Sequence, residues 1–153
     1  MKINIISIGK FKKDGYDLLY NEYKKRMNWN IQLKELQLKK NYEGEKLKEE
    51  EGKLLIQSCS SNTSSKIITL DERGKIISTL EFQELINSYQ NSGITDLDFI
   101  IGGSDGLSQE VRDKSNFVLS FGKMVFPHLM IRVMLIEQLY RVWTLNNNHP
   151  YHK

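Results

Sequence analysis

The sequence predicts an α/β domain built on a mainly parallel sheet with flanking helices. Three observations lead there. Strand-like runs alternate with helical patterns along the chain. Residues 66–70 (KIITL) are β-branched with no polar face, and residues 97–101 (LDFII) form a second apolar run, as suits strands covered on both sides. The last third, residues 118–153, holds both prolines, all three histidines and the most apolar helical stretch, so rigid and titrating groups gather where a site would be built.

A length of 153 residues is that of one domain, 1–153, large enough to bury a core. The balance of 39% hydrophobic and 27% charged residues fits a soluble globular class. Residues 3–8 are too short for the apolar core of a signal peptide, and no run reaches the length of a membrane span. The single cysteine, Cys59, excludes an internal disulfide and suits a reducing cytoplasm. A formal charge of +3 permits an RNA partner without demanding one.

Residues 2–8 (KINIISI) read as a strand ended by Gly9. Residues 16–27 place Tyr16, Leu19, Tyr20, Tyr23 and Met27 on one helical face, with Lys24, Lys25 and Arg26 at the end where cations suit the helix dipole. Residues 31–38 read as a second strand, 44–58 as a charged amphipathic helix carrying Leu47, Leu54 and Leu55, and 58–65 as a polar loop. After the KIITL strand, Asp71 to Lys75 (DERGK) reads as a turn. Ser78 or Thr79, with Glu81 nearby, starts a helix that runs through residue 89. The LDFII strand runs into Gly102-Gly103-Ser104-Asp105-Gly106-Leu107. Ser108 then caps a short helix through Lys114, and residues 117–120 (FVLS) form the last strand.

Ligands bind outside the carboxyl ends of parallel strands. Three such ends are legible: Leu70-Asp71, Ile101-Gly102-Gly103, and Leu119 onward to Phe126. The GGSDG turn lacks the G-x-G-x-x-G spacing of a dinucleotide fingerprint, and no GK[ST] follows it, which excludes a P-loop. Alone, it reads as a tight strand-to-helix turn. Phe121 to Phe126 (FGKMVF) is too apolar for water, so it is expected to be buried against protein or to line a pocket for a flat apolar group. Residues 128–144 form a helix apolar almost all round, expected to be wholly buried and to lie at a subunit interface. Glu137 and Arg141 are an i,i+4 pair of favourable order. Arg132, in the first turn where a cation opposes the dipole, points to a second duty, such as holding an anion or a carboxylate; packing is the competing reading. His149 and His152 have no acidic or thiol neighbours, so no metal site is expected. The tail PYHK frays by composition, or orders on RNA, with Tyr151 stacking on a base and Lys153 meeting phosphate.

Taken together, LDERGK (70–75), FIIGGSDGL (99–107), LSFGKMVFPH (119–128), IRVMLIEQLYR (131–141) and the closing PYHK resemble the bacterial ribosomal large subunit pseudouridine N3-methyltransferase H family, of the SPOUT class. The resemblance spans the chain and is densest after residue 66. It implies a C-terminal trefoil knot, an exception to unknotted connections. It also implies a homodimer packed through that region and an S-adenosylmethionine cofactor. By motif position Leu70, Gly102, Gly103, Phe121, Gly122, Lys123, Met124, Val125 and Phe126 would hold the cofactor. The substrate would be 23S rRNA in the assembled ribosome, at N3 of pseudouridine 1915 in the helix 69 loop. Tyr151, His152 and Lys153 would contact that RNA, with His152, Tyr151 and Arg132 as the catalytic set. The lysines at 10, 12 and 13 and the 24–26 basic run would line an RNA face.

Two other classes compete. A non-catalytic RNA-binding or ribosome-assembly module of the same fold would bind RNA without cofactor. A nucleotide-using α/β enzyme such as an NAD enzyme is disfavoured by the missing fingerprint.

Overall fold

The computed structural model describes residues 1–152. Its elements alternate as the apolar pattern predicts: β1 (Lys2–Ile8), α1 (Gly15–Lys25), β2 (Asn30–Leu36), α2 (Gly44–Gln57), β3 (Ser65–Ile76), α3 (Thr79–Asn91), β4 (Asp96–Ile101), α4 (Gln109–Lys114), β5 (Phe117–Ser120) and α5 (His128–Asn146). The strands form one sheet in the order β2-β1-β4-β3-β5, and each strand pairing is parallel.

Strand side chains alternate between two layers. Ile3, Ile5, Leu97, Phe99 and Ile101 pack with Tyr20 of α1, Phe82 and Ile86 of α3, and Leu135, Ile136 and Leu139 of α5. Ile6, Ile8 and Ile100 pack the other way, onto Leu55 of α2 and Val111 of α4. Helix starts follow their caps. The Asp14 carboxylate accepts from the N–H groups of Tyr16 and Asp17, and Ser78 and Glu81 form a reciprocal capping box. Ser108 occupies the N-cap position of α4, but its hydroxyl is buried without a partner, so it does not cap as the sequence predicts.

Two further expectations change. Residues 71–75, read as the end of a strand, are an excursion within β3. Leu119 of β5 pairs first with Leu70 and again with Lys75, and Asp71–Gly74 bulge out between. Asp71 accepts from the Arg73 N–H at 2.9 Å, which is the turn chemistry the sequence displays. The strand resumes because Gly74 lets the two backbones close: a Cβ there would lie 2.6 Å from the carbonyl oxygen of Val118. Helix α5 is not wholly buried either. Arg132, Leu135, Ile136, Leu139, Tyr140, Val142 and Thr144 are buried, whereas Ile131, Val133, Met134 and Trp143 are half-buried, leaving an apolar flank uncovered in the single chain.

Candidate active site

Parallel register brings Leu70, Ile101 and Leu119 to one level at the carboxyl edge of the sheet, since Leu70 pairs with both of the others. The chain leaves β4 and β5 there in two loops, 102–108 and 121–127. Between them opens a cleft of about 550 Å³ lined by residues 70–72, 101–107, 119–122, 124–128 and Ile131. That volume suits a drug-sized ligand.

Local chemistry shapes both loops. Gly102 packs so closely that a Cβ would lie 2.9 Å from Leu107 Cδ2 and Cγ, and Leu107 is itself buried. The turn is closed by the Gly106 N–H donating to the Gly103 carbonyl at 3.2 Å. Gly122 has φ +138°, a conformation that excludes most side chains. The Ser120 hydroxyl donates to the Gly122 carbonyl at 2.7 Å and accepts from its N–H at 3.1 Å, which sets how the chain leaves β5. Arg112 joins two walls of the cleft. Its guanidinium bonds Asp71 Oδ2 at 3.0 Å and the Leu107 carbonyl at 2.9 Å. Sequence reading missed Arg112 because its partner lies 41 positions away on another element.

Eight of the nine residues assigned to a cofactor by the resemblance line this one cleft: Leu70, Gly102, Gly103, Phe121, Gly122, Met124, Val125 and Phe126. Lys123 does not line it and is exposed. The apolar loop is not buried as a whole: Met124 is 75% and Val125 81% exposed. Its inner side lines the cleft and its outer side is open.

The cleft has an acidic lining, Asp71, Glu72 and Asp105, which the sequence reading did not single out. Its lining histidine, His128, is held below the ordinary imidazole value by burial and then by the nearby Arg132 guanidinium. Behind Gly103 stands Glu51 of α2. A Cβ on Gly103 would meet its Oε2 at 3.1 Å, and that oxygen is buried without a donor. Burial, and secondarily Asp105, raises the Glu51 carboxyl above its usual range.

Arg132 is not at the cleft surface. It is completely buried. It donates to Glu35 Oε1 at 3.2 Å, to the Ile8 carbonyl at 2.5 Å and to the Gly9 carbonyl at 3.2 Å. Its guanidinium carbon lies 5.0 Å from the Phe11 ring centroid. The carboxylate expected for it is therefore Glu35 of the same chain. A catalytic group must touch reactants, and the burial of Arg132 corrects that part of the expectation: it ties the start of α5 to the ends of β1 and β2.

The tail is ordered against the chain itself, contrary to fraying. The Tyr151 ring lies 4.7 Å from that of Tyr140 and 4.9 Å from the Arg141 guanidinium carbon. Its hydroxyl bonds Glu137 Oε1 at 3.1 Å and Tyr23 Oη at 3.4 Å. Burial and then these hydrogen bonds push the phenol well above its ordinary range. Glu137 also holds Arg141, as its spacing predicts. His152 Nδ1 is buried and finds no partner among the described residues. Lys153 lies outside the described residues. Tyr151 thus sits beside a second cavity of about 480 Å³, whose lining includes Leu19, Tyr23, Ile76, Met134 and Glu137, and does not line the first cleft of its own chain.

The family model described as "Predicted SPOUT methyltransferase" matches residues 1–152. A protein of Rhodospirillum centenum named ribosomal RNA large subunit methyltransferase H is 34% identical, covering all of this chain and 99% of its own length. Proteins of the same name from Bartonella bacilliformis and Clostridium botulinum are 38% and 40% identical, over all of this chain and 99% and 100% of their own lengths. With the match running through both loops of the cleft and the helix behind them, the chain belongs to the SPOUT methyltransferase family.

Proposed function

We propose that the chain methylates N3 of pseudouridine 1915 in the helix 69 loop of 23S rRNA, on the assembled ribosome, with S-adenosylmethionine as methyl donor. The observation that carries this reading is the single cleft that gathers the Gly102–Gly103 turn and the 121–126 loop at the carboxyl edge of the sheet. The residues fit such a cofactor. Leu70, Ile101, Leu119, Phe121 and Phe126 supply apolar walls, the glycine-bearing turns supply backbone donors and acceptors, and Glu72 and Asp105 suit a ligand with cationic groups. The relatives' shared name supports an rRNA substrate.

The cofactor would supply an activated methyl group on sulfur. The chain's own work is then to orient, and orientation alone can lower a barrier by roughly 7–11 kcal/mol. The glycine turns and Phe121, Gly122, Met124, Val125 and Phe126 hold the donor. Tyr151, His152 and Lys153 hold the base. N3–H must lose its proton as the new bond forms; His152 is assigned as its acceptor, an imidazole being suited to that task near neutrality. A second copy of the chain would cover the open flank of α5 and bring its tail to this cleft. The C-terminal segment is proposed to be threaded as the trefoil knot of the class, and a ribosomal substrate implies a cytoplasmic setting.

The test is calorimetric titration with S-adenosylmethionine, with NAD as control, followed by methyl transfer to ribosomes that lack the modification. Saturable binding of the methyl donor alone and methylation at that one nucleotide are expected. Ribosome binding without methyl-donor affinity would replace the reading with a non-catalytic RNA-binding module. In the same assay, removing residues 151–153 is expected to abolish transfer and leave methyl-donor affinity within about threefold; unchanged turnover would remove the tail from the mechanism.

A further inference from the structure

The carboxyl edge of the sheet continues past the cleft. All five strands are parallel, so the loops after β1 and β2 emerge on the same edge as those after β4 and β5. Register keeps the ends level: Ser7 pairs with Ile101, Ile8 pairs with Leu36, and the Gly9 N–H extends the ladder to the Leu36 carbonyl at 2.7 Å. Neighbouring strands lie about 4.8 Å apart, so the end of β2 is roughly 10 Å from that of β4. Gly9 adjoins the cleft directly, since a Cβ there would be 3.5 Å from Nε2 of the cleft-lining His128.

These two loops carry five lysines, Lys10, Lys12 and Lys13 after β1 and Lys39 and Lys40 after β2, all exposed. None of the five is in an ion pair among the described residues. The carboxylates nearby are mostly engaged. Asp14 caps α1, Glu35 holds Arg132 and the Phe11 N–H, and Glu45 pairs with Lys48, leaving Glu43. Other basic groups, among them Lys24, Arg73, Lys75 and Lys123, are likewise in no ion pair among the described residues, but only these two loops gather five such lysines. Lys25 and Arg26 at the end of α1 both pair with Glu22, so the 24–26 run is a weaker candidate than the sequence implies. Around the cleft the edge is of mixed sign, with Glu72 and Asp105 set against Arg73 and Lys123 and Asp71 held by Arg112; from Gly9 outward it carries five exposed lysines.

From this we infer that the β1–α1 and β2–α2 loops form a phosphate-binding ledge, on which the RNA backbone flanking the target nucleotide is seated while the base reaches the cleft. The inference rests on the proposed function for its substrate and adds the surface that positions it. Contacts to phosphate fix register without reading sequence, and unpaired lysines on flexible stems suit that role.

The experiment compares two double variants that remove equal charge. Lys39→Gln with Lys40→Gln alters the ledge. Lys2→Gln with Lys66→Gln alters the starts of β1 and β3, at the opposite edge of the sheet. Each is titrated with purified 70S ribosomes lacking the methyl group, between about 50 and 200 mM salt, and separately with S-adenosylmethionine by calorimetry. The ledge variant is expected to bind ribosomes about tenfold more weakly, with a salt dependence shallower by roughly one to two in log–log slope, and to keep its methyl-donor affinity. The opposite-edge variant is expected to stay within about twofold in both. Equal losses in the two variants, or no loss when Lys10, Lys12 and Lys13 are also replaced, would overturn the ledge. Absence of methyl-donor binding by the unaltered protein would instead overturn the proposed function, and the ribosome titration reads the ledge independently of it.

Discussion

Arg132 shows how one buried charge can organise a site it never enters. It joins the start of α5, where the 121–127 loop ends, to the ends of β1 and β2, and Glu35 balances it. Replacing it with alanine strands Glu35 and two carbonyls and opens a void. We expect a loss of about 3–5 kcal/mol in urea denaturation, a large share of the stability of a domain this size. Glu51 is the opposite case, a buried carboxylate with an orphaned oxygen. Its carboxyl is raised from the ordinary 4.5, so above that value the unfolded chain releases a proton that the folded chain retains, and stability falls as pH rises. Glu51→Gln removes that cost. The melting temperature is expected to rise by a few degrees at pH 7 and to change less at pH 4, where the carboxyl is mostly protonated in the unfolded chain as well. Neither residue was legible as it functions. Arg132 could be seen as oddly placed in its helix, but its partner is 97 positions away. Glu51 lies in a run of three glutamates that reads as solvated surface, and only the packing of Gly52 and Leu55 turns it inward.

At the scale of elements, the strands were legible because a parallel sheet covered on both faces demands apolar runs, and KIITL and LDFII are such runs. The excursion in β3 was not, because DERGK has the composition of a turn and only contact with Val118 and Leu119 makes it part of a strand. The cleft was found from the two glycine-bearing loops and a family likeness; its acidic lining and Arg112 depend on tertiary contacts that no local pattern encodes. Gly102→Val is expected to displace Leu107 and weaken S-adenosylmethionine binding more than tenfold in calorimetry, with the far-ultraviolet circular dichroism spectrum retained. Loss of residues 151–153 removes the tilted ring contact of Tyr151 with Tyr140 and its bond to Glu137, and is expected to lower stability by about 1–2 kcal/mol in urea denaturation without changing the fold.

For the whole molecule, the uncovered flank of α5 sets the next prediction. Leu19 and Ile76 are each about half exposed, and they line the second cavity together with half-buried Val133 and Met134. A surface of this kind on a soluble chain marks an interface. Sedimentation equilibrium is expected to give twice the mass of one chain, and the melting temperature is expected to rise with protein concentration, as it does when folding and association are linked. The monomeric mass at micromolar concentration would count against the proposed pairing of tail and cleft. The order of the strands has a consequence for how such a molecule comes into being. Domains acquire structure as they are synthesised, from the amino end onward. Here β5, the 121–127 loop and α5 follow the other elements of the domain, and β5 adds to the edge of a sheet whose other four strands precede it. The two lysine-bearing loops are made before β4, whereas the cleft needs β5, the 121–127 loop and α5 as well. A chain halted before β5 would hold four strands and the lysines but lack a wall of the cleft, so the surface for an anion precedes the pocket for a ligand as the domain is made.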